Sequence, residues 1–294
     1  MRRGIAAVLA ILIVAGTAYA LSDARPPSAD RAFDGERAMD LVRAQVALGP
    51  RVPGSAAHAH FLTWLQAELA AAGWTSEIQA GEMLGQPVRN VVARRDQASP
   101  AFILGAHFDS RIYADKDPSP TKRGEPTPGA NDGASGVAVL LELARLVDAD
   151  APSTWLVFFD AEDNGRIEGW EWILGSRLFT RSLEARPQAV IIVDMVGDAD
   201  LHLPLEQNSD PALQAGIWET AASLGYADIF VKEAGQHITD DHLPFLELGI
   251  PAVDIIDIDY EYWHTSQDTP DKLSAASLEA VGETLRVWIE AQGE

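Results

Sequence analysis

A short apolar run that ends in a group of acids constrains this chain more than any other feature. Residues Trp155 to Phe159 are all aromatic or branched, and Asp160, Glu162 and Asp163 follow at once. A continuous apolar run of this length is typical of a strand buried on both faces, as in a sheet covered by helices. The acids are therefore predicted at the carboxyl end of a buried strand, where open α/β sheets bind their ligands.

Two other predicted strands end in ionisable side chains. Phe102–Ala106 is followed by His107, and Ala189–Val193 is followed by Asp194. Asp132 precedes an apolar helix, where backbone N–H groups can hold a carboxylate in place. Strand and helix patterns alternate along the chain, which indicates an α/β sandwich without a second domain.

The histidines and acids at these positions predict a metal site. The chain contains no cysteine, so a bound metal must be held by His, Asp and Glu, and disulfides are excluded. Two histidines with several carboxylates suit Zn²⁺, with Mn²⁺ and Co²⁺ as lesser options. Asp109 lies two residues after His107 on an extended chain, so it is predicted to orient the imidazole. The strand and loop ends supply six candidate residues for the metal site, which are His107, Asp132, Glu162, Asp163, Asp194 and His264.

Charge and the N-terminal pattern bound the partners and the location. The formal net charge of −22 argues against nucleic acid or an anionic membrane as a partner. Residues 1–20 combine two arginines, an apolar segment and Ala-Tyr-Ala, which predicts a cleaved export signal, with an uncleaved membrane anchor as the alternative. Residues 21–34 are predicted to be a linker, and residues 35–294 a single catalytic domain. We expect a periplasmic or secreted monomer.

Several motifs carry a resemblance to a known family. They are Gly-Pro-Arg-Val-Pro-Gly-Ser from Gly49, His-Phe-Asp-Ser from His107, Asn-Asp-Gly-Ala-Ser-Gly from Asn131, Asp-Ala-Glu-Asp from Asp160, Asp-Met-Val-Gly from Asp194, Asp-Asp-His-Leu-Pro-Phe-Leu from Asp240, and Trp-His-Thr from Trp263. With these motifs, the chain resembles the glutaminyl-peptide cyclotransferases of bacterial type, within the co-catalytic zinc aminopeptidase superfamily. The resemblance implies a three-layer αβα sandwich around a mixed, mostly parallel sheet.

The resemblance also implies a role for each residue of the site. One Zn²⁺ is expected on Asp132, Asp163 and His264, and His107 with Asp194 would hold a second ion if one is present. Glu162 would be the general base, with Asp240 and Asp194 in its proton network. Substrate contacts would come from Trp263, Trp170 and Phe245. The family further implies a cis peptide bond after Asp132.

Two activities remain open at this point, together with a non-catalytic alternative. Aminopeptidases usually have Ser-Asp-His where this chain has Asp240, Asp241 and His242, and they commonly lack the tryptophan that precedes His264 here. These features favour an enzyme that cyclises N-terminal glutamine of peptides or proteins to pyroglutamate and releases ammonia. The alternative is a two-zinc aminopeptidase that hydrolyses N-terminal residues. A non-catalytic peptide-binding relative is disfavoured by the intact Glu162.

Overall fold

The computed structural model describes residues 32–147 and 151–293. The predicted signal, and the linker before residue 32, lie outside these described residues. Eight strands occur in the described part of the chain. They are β1 (Thr75–Met83), β2 (Gln86–Arg94), β3 (Phe102–His107), β4 (Thr154–Phe159), β5 (Ala189–Asp194), β6 (Leu203–Leu205), β7 (Phe230–Ala234) and β8 (Ala252–Ile256).

Six of these strands form the central sheet, in the order β1-β2-β4-β3-β5-β8. The run β4-β3-β5-β8 is parallel, while β1 and β2 pair antiparallel with each other, and β2 pairs antiparallel with β4. The sheet is thus mixed and mostly parallel. Because β4, β3, β5 and β8 are parallel, their carboxyl ends meet at one edge. β6 and β7 form a separate two-stranded sheet.

Helices cover both faces of the central sheet. Side chains that alternate along β3 show the two faces: Leu104 and Ala106 belong to a core shared with α1, α2, α3, α5 and α7, whereas Ile103 packs in a second core with α4 and α6. This is the three-layer αβα sandwich that the resemblance implies. The helices are α1 (Gly35–Ala47), α2 (Ala56–Ala71), α3 (Ala134–Leu146), α4 (Leu174–Arg181), α5 (Pro211–Ser223), α6 (Leu243–Glu247) and α7 (Ala275–Ala291).

One glycine allows α3 to approach the sheet closely. A Cβ atom on Gly136 would lie 2.2 Å from the backbone oxygen of Val193 and 3.0 Å from Cβ of Ala106. No side chain fits at such a distance without a backbone shift. The small residues at the start of α3 therefore let this helix, and with it Asp132, lie directly against β3 and β5.

The sequence patterns located most elements within a few residues. Ser55 caps α2, because its side chain accepts a hydrogen bond from the backbone N–H of His58. Helix α4 and strands β6 and β7 were not predicted, since each of them is short. Among the described residues, no helix combines the length and apolar character needed to cross a membrane.

Candidate metal centre and active site

The carboxyl end of β3 is joined to the end of β4 through Asp109. Its carboxylate accepts hydrogen bonds from the backbone N–H groups of Glu162 (2.9 Å) and Asp163 (3.3 Å), and from the side chain of Asn164 (3.2 Å). Nδ1 of His107 lies 3.5 Å from Asp109, which is longer than a well-formed hydrogen bond. Asp109 therefore fixes the acidic segment after β4 more directly than it orients His107. This differs from the prediction that Asp109 orients the imidazole.

Asp132 lies between the two histidines. Its Oδ1 is 3.2 Å from Nε2 of His107, and its Oδ2 is 3.7 Å from Nε2 of His264. Its backbone is held by Asp268, which accepts hydrogen bonds from the N–H groups of Asn131 (2.8 Å) and Asp132 (3.2 Å). Sequence reasoning missed Asp268, since no pattern links it to a segment more than 130 residues earlier.

The predicted cis peptide bond after Asp132 is not found. No peptide bond in the described residues is cis, and Gly133 instead adopts φ +100°. This backbone angle is readily accessible to glycine because it has no side chain. The turn before α3 is thus formed with trans peptide bonds.

His264 is held between acids and two tryptophan rings. Its Nε2 lies 2.8 Å from Asp163 and its Nδ1 lies 3.5 Å from Asp115. The ring of Trp263 is 4.1 Å from the imidazole and tilted by 43°, and the ring of Trp172 is 6.0 Å away and nearly parallel to it. Both tryptophans line the cavity beside His264. The imidazole is therefore fixed in orientation, with little freedom to leave the site.

These side chains form two groups with the donor types of a zinc centre. His107, Asp132 and Asp194 make one group and Asp132, Asp163 and His264 the other, and within each group the ligand atoms lie within 4.8 Å of one another. All five residues are buried. One oxygen of Asp132 and one of Asp163 have no hydrogen-bond partner. Buried carboxylate oxygens without partners are costly, and a cation would satisfy them. The residues therefore fit a zinc ion.

The electrostatics of the site point the same way. Burial and the nearby Asp132 raise the pKa of Asp163 to about 7, although His264 opposes the shift. Such crowding of acids away from water is unfavourable unless a positive charge or shared protons compensate it.

Glu162 directly precedes Asp163 in the chain but belongs to neither group of candidate zinc ligands. It follows β4 and lines the cavity together with Asp240. Burial raises the pKa of Glu162 well above the usual range of a glutamate, and the charge of Asp240 raises it further. The pKa of Asp240 is raised in the same way by burial and by Asp194. Such a set of close, buried acids can share protons and pass them to a bound molecule.

The cavity is deep, with a volume of about 330 Å³, which is at the lower end for small-molecule sites. Its lining brings together predicted ligands, predicted catalytic acids and aromatic residues. The lining includes Lys116, Asp132, Glu162, Asp163, Arg166, Trp172, Asp194, Asp240 and Trp263.

Two of the predicted substrate contacts lie elsewhere. Phe245 is fully buried and packs against Phe159 and Phe179 in the core between α4, α6 and the sheet. Trp170 packs with the cluster that includes Met83 and Val88. Neither residue is part of the cavity lining, so the structure does not bring these two predicted contacts to the site. Phe245 is the apolar side chain that anchors a short helix, and Trp170 covers the end of the β1–β2 hairpin.

Trp172, and not Trp170, is the tryptophan of the loop after β4 that lines the cavity. Its ring lies against Gly165, where a Cβ atom would come within 2.1 Å of the indole. The guanidinium carbon of Arg111 is 5.2 Å from the same ring. The loop path through Gly165 thus decides which tryptophan faces the cavity, and alternating or helical spacing gives no signal for it.

Arg111 and Asp115 are further site residues that sequence reasoning missed. Arg111 donates to the backbone oxygens of Asp163 (2.8 Å) and Gly165 (3.2 Å), and it binds both oxygens of Asp115. Since Asp115 also approaches His264, this pair ties the polar loop after β3 to the site. A long polar loop rich in Asp and Pro was the available signal, and it did not single out individual residues.

A third group of buried ionisable residues lies behind Asp240. Asp240, His242 and Asp254 also bring potential ligand atoms within 4.8 Å of one another. His242 lies 3.4 Å from Glu206, and neither of its ring nitrogens has a hydrogen bond. His242 and Asp254 are fully buried and do not line the cavity, so Asp240 is the member of this group that faces it.

Comparison with known proteins agrees with the fold. Residues 90–289 match peptidase family M28. A glutaminyl-peptide cyclotransferase-like protein of Bos taurus is 27% identical over 290 residues, covering 81% of this chain and 71% of that protein. The structure of Porphyromonas gingivalis glutaminyl cyclase superposes with a TM-score of 0.83 at 36% identity, covering 88% of this chain and 99% of the other. A leucine aminopeptidase precursor from Bacteroides thetaiotaomicron gives a TM-score of 0.84 at 33% identity, covering 88% and 97%.

Proposed function

The chain belongs to peptidase family M28, and we propose that within this family it is a glutaminyl-peptide cyclotransferase that converts N-terminal glutamine to pyroglutamate. The observation that carries the proposal is the pairing of Glu162 with Asp240 at a cavity whose His264 lies between two tryptophan rings. The likeness to glutaminyl cyclases of known structure supports it.

In the proposed reaction the α-amine nitrogen of the peptide attacks the side-chain carbonyl carbon of its own N-terminal glutamine. A new C–N bond closes the five-membered ring, and the bond to the side-chain nitrogen breaks, so ammonia leaves. Zn²⁺ held by Asp132, Asp163 and His264 would supply Lewis-acid stabilisation of the charge that develops on the amide oxygen. We propose one ion at this group, and His107 with Asp194 could hold a second.

The residues of the chain itself would move the proton. Glu162 would accept the proton that the α-amine loses and return it to the departing nitrogen, which balances the reaction without an outside acid. Asp240 and Asp194 keep Glu162 in a network of close acids, so that one proton is retained within the site. Because the attack is intramolecular, positioning of the substrate supplies much of the rate.

Trp263 and Trp172 would exclude water and hold the glutamine side chain. A hydrolytic aminopeptidase needs an activated water beside the base, whereas a cyclase needs that position free of water. Both rings pack beside His264 and line the cavity, which supports a site that restricts the space open to water. A two-zinc aminopeptidase stays the second candidate, because both groups of candidate ligands are complete and a similar structure is a leucine aminopeptidase precursor.

An assay on paired substrates tests this proposal. We expect the protein to release ammonia from a glutamine-led peptide amide and no free aniline from leucine anilide. Trp263→Ala should lower kcat/KM for cyclisation about tenfold or more, since an aromatic contact beside His264 is lost. Trp170→Ala is the matched control, because Trp170 packs away from the cavity. Release of aniline without ammonia would establish the aminopeptidase instead.

We also propose that residues 1–20 direct export and are removed, so that the mature enzyme begins at Leu21 and acts on peptide or protein N-termini in the periplasm or outside the cell. The support is the N-terminal pattern of arginines, apolar segment and Ala-Tyr-Ala. N-terminal sequencing of the mature protein tests it, and an intact Met1 would indicate an anchor instead. The monomeric state stays a prediction.

A further inference from the structure

The mouth of the active-site cavity has the opposite charge to its floor. Lys116 and Arg166 line the cavity and are exposed, whereas the acids Glu162, Asp163 and Asp240 that line it are buried. The chain as a whole has 44 acidic and only 22 basic residues. Two cations at the entrance of an acidic cavity, on an acidic protein, therefore form a distinct local feature.

Neither cation is neutralised by the described part of the protein. Among the described residues, no carboxylate lies within ion-pair distance of Lys116 or Arg166. Both carboxylate oxygens of the neighbouring Asp115 already accept hydrogen bonds from Nε and Nη2 of Arg111, at 2.8 and 2.9 Å. Partial burial lowers the pKa of the Lys116 ammonium, Asp115 opposes this, and the charges of Arg111 and Arg166 lower the pKa further. Lys116 and Arg166 therefore offer two positive charges without a carboxylate partner to an anion bound at the rim of the cavity.

Lys116 is held in place from two directions. Its backbone N–H donates to the backbone oxygen of His264 at 3.2 Å. Its Nζ lies 3.2 Å from the centroid of the Trp263 ring, which is a close cation–π contact. Since the Trp263 ring itself adjoins His264, the ammonium group is one aromatic ring away from an expected metal ligand.

Arg166 is presented by the anchored loop after β4, which also lines the cavity. It adopts a left-handed backbone conformation with φ +64°. The residue before it, Gly165, is fixed by the hydrogen bond from Arg111 and by the packed ring of Trp172. A non-glycine residue in this conformation carries a modest strain, so the loop holds Arg166 where the surrounding contacts place it.

We propose that Lys116 and Arg166 bind a carboxylate of the substrate that follows the N-terminal glutamine, so that the enzyme prefers peptides with a negative charge close to the reacting end. This inference rests on the proposed cyclase function. With the glutamine at the floor of the cavity, each further residue of an extended peptide advances about 3.3–3.6 Å. The side chain of the second residue, or a nearby chain-terminal carboxylate, then reaches the rim.

The overall charge of the protein predicts the opposite preference. A net charge of −22 repels acidic peptides and attracts basic ones at a distance. Contacts at the rim act over a few ångströms and are screened less than the long-range field at physiological salt. The sign of the preference therefore distinguishes local recognition from the general field.

The experiment compares kcat/KM for ammonia release from four peptides. Gln-Ala-Ala-amide is neutral, Gln-Glu-Ala-amide adds an acidic side chain, Gln-Lys-Ala-amide adds a basic one, and Gln-Ala-Ala with a free carboxylate has a negative terminus. We expect one or both negative peptides to exceed the neutral amide about 2- to 5-fold, which lies within the range expected for an exposed charge pair. The acidic side chain and the free terminus identify which source of carboxylate the rim binds.

The variants assign the effect to the rim. In the double variant Lys116→Met, Arg166→Gln the preference for the negative peptides should fall to about onefold. Lys122→Met is the matched control, because Lys122 lies on the same loop, is exposed and pairs with Glu125 outside the cavity. It should keep the preference.

Three results would overturn the inference while leaving the cyclase intact. They are equal rates for all four peptides, a preference for the lysine peptide, and a preference for negative peptides that survives in the double variant. Failure of every peptide to release ammonia would instead contradict the proposed function, so the two failures are distinguishable.

Discussion

Replacement of Glu162 by glutamine should lower kcat for cyclisation by roughly 10²–10⁴-fold, the usual contribution of a positioned acid–base group, while bound zinc is retained. Glutamine keeps the size of the side chain but cannot accept and return the proton. Glu162 belongs to neither group of candidate ligands, so the metal should remain. The free energy of unfolding should not decrease, because burial disfavours the charged form of Glu162 and glutamine carries no charge.

The measurements are steady-state kinetics, zinc content and thermal unfolding of the same preparation. Glu168→Gln, an exposed substitution in the loop after β4, serves as the control and should behave as wild type. Loss of zinc from the Glu162 variant would mean that Glu162 and Asp163 have exchanged roles. Full activity without Glu162 would place the base elsewhere.

Asp132 is the residue whose loss should affect the metal most, since both candidate groups share it. We expect Asp132→Asn to weaken zinc binding more than about 100-fold, because removing even a partner that touches only a ligand costs 10- to 100-fold. Activity should be lost with the metal. Thermal stability should fall as well, by about 3 kcal/mol for a 100-fold weakening, where zinc is present at a thousand times its Kd for the wild type.

Asp194→Asn is the informative comparison. It removes an acid from the His107 group alone, so an enzyme with one ion at Asp163 and His264 should keep its zinc content. An enzyme with two ions should lose one. Metal analysis of both variants and of the wild type therefore counts the ions, and a fully zinc-loaded Asp132→Asn protein would contradict the assignment of the centre.

The apolar runs of the chain were sufficient to predict the strands that carry the site. Phe102–His107 and Thr154–Phe159 are buried on both faces, and such strands cannot continue through charged residues without a large desolvation cost. The change from apolar to ionisable residues therefore marked both the strand ends and the ligand edge of the sheet. The histidines and acids that meet there could be named before their positions in space were known.

Single tryptophans could not be assigned in this way. Trp170 and Trp172 are two residues apart in a loop without a period, and the sequence gives no reason to prefer one. The position of Trp172 depends on its contact with Gly165 and on Arg111, which comes from a loop more than 50 residues earlier. The burial of Phe245 away from the cavity could not be predicted for a related reason, because a motif next to Asp240 does not show which of its side chains faces the core.

The sequence by itself determined the alternation of strands and helices, the sheet edge at which ionisable groups collect, and the kind of metal those groups can hold. These follow from local burial and from ligand chemistry, which neighbouring residues decide. Only the tertiary structure decided that Asp132 lies between His107 and His264. It also decided that Asp268 and Asp115 contact the candidate ligands, and that Lys116 and Arg166 line the same cavity. Such contacts join segments that are far apart in the chain, and their geometry is fixed by loop packing for which the local pattern has no period.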